Sequence, residues 1–182
     1  MVAHFREVAA VGLPVVAVND PVRSRVDLHP DLLATVAETD GVVAVVEATA
    51  DVRRPHLVRD LCPHLGVLAG AGDVLLESVV CGVRGWLATV VNALPALSVR
   101  LFDACVAGDL SAALPLYAGL HPLLGWDGRP DTVQAVKLSM DVLGRYGGPC
   151  RPPRGPLPPA VETRLRQDLA RALAADRRPV TG

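Results

Sequence analysis

The chain has 182 residues, a length for one domain or one domain with an appendage. It is 51% hydrophobic but only 3% aromatic, so its core must be built from Val, Leu and Ala, with apolar surface to spare for a partner. The formal net charge is −1, and 17 arginines lie scattered among the acids beside a single lysine, Lys137, which argues against a nucleic-acid footprint. Every apolar run is broken by Arg, Asp, Pro or Gly before 18 residues, which predicts no membrane span. The first 20 residues lack a basic segment followed by an apolar one, so a cytoplasmic protein is expected. Cys62, Cys81, Cys105 and Cys150 show no CxxC spacing and read as buried or incidental thiols. The five histidines make no metal-ligand pattern, and neither metal nor cofactor is expected.

Met1–Val11 reads as a helix with Phe5, Val8 and Ala9 on one face. Leu13–Val18 is an almost unbroken β-branched run, the pattern of a strand buried on both faces. A helix with proline in its first turn follows over Pro30–Glu38, then a second strand over Gly41–Glu47. Asp51 is placed to cap a helix running through Cys62. Leu65–Ala69 reads as a strand, Asp73–Val80 as a short helix and Arg84–Val91 as a fourth strand. Strand–helix alternation predicts right-handed βαβ units and a parallel sheet. From Pro95 the pattern is helical only: Pro95–Ala107, Leu110–Leu123, Pro130–Tyr146 and Pro159–Ala175, with Asp109 and Asp131 at N-cap positions. Gly147-Gly148-Pro149 stops the third of these, and Pro149–Pro159 is an extended connector. The expected division is 1–94, 95–175 and a flexible tail, 176–182. Four parallel strands are half of a (β/α)8 barrel, with two open edges and one face meant to line a barrel.

Several stretches carry a family resemblance by their order and spacing. They are His4-Phe5, Leu13-Pro14-Val15-Val16, Asn19 with Pro21, Arg23, and Val26-Asp27-Leu28. Glu47-Ala48-Thr49, Leu68-Ala69-Gly70, Gly82, Gly85 and Asn92 with Pro95 come next. Ala107-Gly108-Asp109-Leu110, Val136-Lys137 and Gly147 through Pro153 complete the set. From His4 to about Leu173 the chain resembles the dihydrodipicolinate synthase / N-acetylneuraminate lyase family, class I aldolase-type (β/α)8 barrels with a C-terminal helical extension. The resemblance implies a fold of the α/β class: the C-terminal half of such a barrel, entered in its fourth helix, followed by that extension. It also implies that the family's Gly-Thr-Thr-Gly-Glu-type loop, which holds the keto acid carboxylate, has no counterpart here.

Family chemistry runs through a lysine that forms an imine with pyruvate, an electron sink for bond making or breaking next to it. The resemblance puts that lysine position on Val46 and the family's proton-shuttling tyrosine on Val18. It puts a carboxylate-binding arginine of some members on Arg23, which otherwise reads as an exposed loop arginine or an ion-pair partner of Asp20 or Asp27. Gly70 and Leu87 match positions whose backbone faces the pyruvate pocket, or serve barrel geometry alone. Asn92 is either a ligand at a strand end or a turn former. Lys137 matches a lysine of the helical extension, away from the barrel mouth. The implied function is a degenerate or truncated lyase-family member without imine chemistry of its own, a pseudoenzyme bearing a pocket for pyruvate or another 2-keto acid. One alternative is a non-catalytic module that completes a barrel by self-association or with an N-terminal half-barrel partner. A second is a fragment of a longer 4-hydroxy-tetrahydrodipicolinate synthase-like lyase. An enzyme of different mechanism, binding an acid through Arg23 and Asn92, is a further reading.

Overall fold

The computed structural model describes residues 1–176, and the expected flexible tail beyond Asp176 lies outside them. The chain forms two compact units, Met1–Leu87 and one that begins at Ala88.

The first unit runs α1 (Val2–Ala9), β1 (Val15–Asn19), α2 (Pro21–Ser24), α3 (Pro30–Ala37), β2 (Val42–Glu47), α4 (Arg54–Leu61), β3 (Gly66–Ala69) and α5 (Leu75–Val80). The strands are parallel in the order β1-β2-β3. A register shift between Val15 and Val16 leaves Val16 opposite Ala44, Val18 opposite Val46 and Asn19 opposite Glu47. Side chains alternate between faces along a strand. Ala17 and Val45 therefore share the face that packs on Leu28, Leu33, Val36 and Val58, which is the core of this unit. Val16 and Val18 point from the other face, where they are 44% and 53% exposed.

The fourth expected strand, Arg84–Val91, is not a strand. It makes one parallel bridge, Trp86 to Ala69, held by Ala69 N–H to Gly85 O at 2.8 Å and Leu87 N–H to Ala69 O at 2.9 Å. The bridge lies at the carboxyl end of β3, which ends at Ala69, so the ladder does not run on past it. Past Thr89 the chain winds into a 3₁₀ turn, Val90–Asn92, ahead of Pro95.

The second unit holds α6 (Pro95–Ala107), α7 (Leu110–Leu124), α8 (Thr132–Val142) and α9 (Pro159–Asp176). α7 packs against α6 and α9, and α8 against α9. Leu101, Leu120, Leu124, Leu165 and Leu169 are fully buried there. The Asp109 carboxylate caps α7 by accepting from Ala112 N–H at 3.0 Å. Asp131 makes no such bond; Arg129 holds its carboxylate at 2.8 and 2.9 Å. Asp51 likewise stands ahead of α4, whose N-cap is Arg53, and its carboxylate takes the Arg53 N–H and guanidinium. In both cases a neighbouring guanidinium competes with the helix N–H groups for the carboxylate, and wins.

Candidate active-site end of the sheet

The carboxyl ends of parallel strands are where α/β barrels place chemistry. Here those ends carry Val18-Asn19, Val46-Glu47 and Ala69-Gly70, with Trp86-Leu87 beside them. On the exposed face Val18 and Val46 are direct register partners, so the two positions are neighbours on adjacent strands. Val46 is 2% exposed. A Cβ on Gly70 would lie 2.8 Å from both the Val46 Cγ1 and the Ala48 Cβ, so only glycine lets the third strand end close over Val46. Leu87 is 59% exposed, and its N–H is spent on the bridge to Ala69. This end of the sheet is aliphatic: it offers shape and apolar surface, and neither a nucleophile nor a base at Val18 or Val46.

The opposite face of the same strand ends is polar, buried and cross-linked. Asn19 is 0% exposed. Its amide donates to Glu47 Oε2 at 3.0 Å and to Asp27 Oδ1 at 3.2 Å, and its oxygen accepts from Leu28 N–H at 2.8 Å. Arg54, in the first turn of α4, grips Asp27 through two parallel bonds of 2.7 and 2.6 Å and stands 3.9 Å from Glu47 Oε2. Glu47 Oε1 also accepts from Thr49 N–H at 2.9 Å. The network thus ties β1, β2, α4 and both loops leaving the strands. Each loop passes through a left-handed non-glycine residue, Arg25 (φ 59°) and Ala50 (φ 61°), conformations that persist only where the surroundings fix them. The Arg54 hydrogen bonds hold the Asp27 carboxyl below its ordinary range against the effect of burial, and Asp27 in turn raises Arg54.

The remaining expected site residues are placed as follows. Arg23 pairs with Asp20, whose carboxylate also accepts from the Arg23 N–H at 3.1 Å and caps α2. Asn92 belongs to the second unit, where its amide donates to its own turn at Thr89 O, 2.9 Å away. Lys137 is there too, with its ammonium on the Gly147 carbonyl. Arg54 is the participant that sequence reasoning passed over. Asn19, Asp27 and Glu47 stand in stretches that carry the family resemblance, but nothing in the sequence marks Arg54 apart from its neighbour Arg53. Among the described residues no group of three His, Cys, Asp or Glu side chains could hold a metal, and no helix is long and apolar enough to cross a membrane.

Parallel strands alternating with helices, with a buried polar lock beneath their carboxyl ends, make this an α/β chain. The sequence pattern of the Dihydrodipicolinate synthetase family matches residues 1–173, and the chain belongs to that family. It is 30% identical over 171 residues to a 4-hydroxy-tetrahydrodipicolinate synthase of Methanothrix thermoacetophila, covering 92% of this chain and 58% of that protein. It is 33% identical to the enzyme of the same name from Syntrophobacter fumaroxidans, covering 91% and 58%. The solved 4-hydroxy-tetrahydrodipicolinate synthase of Methylacidiphilum fumariolicum superposes with a TM-score of 0.87 at 25% identity, over 96% of this chain and 59% of that one. The chain therefore spans a little under three fifths of these relatives.

Proposed function

We propose that this chain is the C-terminal half of a dihydrodipicolinate synthase-like barrel in which pyruvate imine chemistry has been lost. The observation that carries the reading is the Val18–Val46 pair: the positions matched to the family's tyrosine and lysine face each other on adjacent strands and are both aliphatic. An imine needs an amine at the ketone, and no aliphatic side chain substitutes for it. Losing both partners of one proton-transfer pair fits a pocket released from catalysis better than it fits exchange of one nucleophile for another. In a longer chain carrying the remaining strands, the same two valines would leave the same gap.

The test is to incubate the protein with pyruvate and borohydride and measure its intact mass, then map any adduct by peptide. The expected result is an unchanged mass. A stable adduct on Lys137 would overturn the reading and make that residue the nucleophile.

A second reading is supported by the outward face of the sheet. Val16, Val18 and Leu87 are exposed there, and the β1 edge has no neighbour among the described strands. A non-catalytic module that closes a barrel with further strands, from a second copy or an N-terminal half-barrel, would cover that face and remove the edge. Sedimentation equilibrium is expected to show self-association of the purified chain. A stable, well-folded monomer would remove this reading and leave the first intact.

A further inference from the structure

We draw no further inference here: the strongest candidate, the apolar cleft of about 300 Å³ between α4, β3 and the turn that follows α5, has its two guanidiniums, Arg59 and Arg84, already engaged on the backbone carbonyls of Cys81, Val79 and Val83, and nothing in the structure shows what covers it.

Discussion

Arg54→Met is expected to destabilise the first unit by about 3 kcal/mol at neutral pH, the lower end of the cost of breaking a buried ion pair by removing one partner. The lower end applies because Asp27 keeps 28% of its side chain in contact with solvent, while Glu47 keeps 4%. Without the guanidinium, two carboxylates face one another across the Asn19 amide, which can donate to both but neutralises neither. The pH dependence follows from the direction of the Asp27 shift. Its carboxyl is depressed in the folded protein relative to the ordinary 3.8, so the stabilisation is fully present above that value and is lost as pH falls through the depressed one. In the variant the depression is gone. The gap between the two proteins should therefore narrow in acid, as Asp27 takes up its proton in both. Amide hydrogen exchange at Leu28 and Thr49, whose N–H groups the network holds, reads this locally. Unchanged protection at neutral pH would mean that the lock contributes nothing to stability.

How far the sequence could be read follows from the range of the signals. β1, β2 and β3 are legible because unbroken β-branched or apolar runs bounded by Pro, Gly or Asp have few other homes. Arg84–Val91 carries the same local signal. It makes only a single bridge, to the last residue of β3. The four long helices of the second unit are visible from their prolines and glycines, while their ends are set by contacts that pattern does not encode. Asp51 and Asp131 illustrate this: each has the residue type of a cap, but an arginine two positions away takes the carboxylate. At the strand ends, Val18 and Val46 could be singled out only through the family resemblance, and their direct opposition needed the register. Arg54 could not be distinguished from Arg53 at all. One is a buried clamp and the other an exposed partner of Asp51, and the difference is made by which way the first turn of α4 faces.

That contrast bears on what has been kept. The aliphatic face lacks the groups that imine chemistry needs, whereas the polar face of the same strand ends retains a satisfied network with four side chains and two backbone N–H groups in register. A fully satisfied network of this kind rigidifies the loops it ties. Its presence beneath the Val18–Val46 pair holds the strand ends in register whatever the pocket does.

Gly147→Ala is expected to destabilise the second unit through overpacking, on the order of 2 kcal/mol, and to break the hydrogen bonds that hold the Asp141 carboxylate. A Cβ at this position would fall well inside van der Waals contact of the Lys137 carbonyl, which is helix backbone and cannot swing aside as a side chain could. The connector would have to move away from α8. That movement breaks three linked contacts: the Lys137 ammonium on the Gly147 carbonyl, and the Gly147 and Gly148 N–H groups on the Asp141 carboxylate at 2.8 and 3.2 Å. Those two N–H groups hold the Asp141 carboxyl below its ordinary 3.8, so the stabilisation they give is present above that value and fades as pH falls through the depressed one. In the variant, Asp141 should titrate close to the ordinary value, and the second unit should lose less stability on acidification than the parent does. Trp126 lies buried in this unit and Trp86 is half-buried in the other, so fluorescence in a Trp86→Phe background follows the unfolding of the second unit. A carboxyl titration by NMR places Asp141 separately. If Gly147→Ala melts with the parent and Asp141 keeps its depressed titration, the close approach of Gly147 to α8 is not what holds the connector in place.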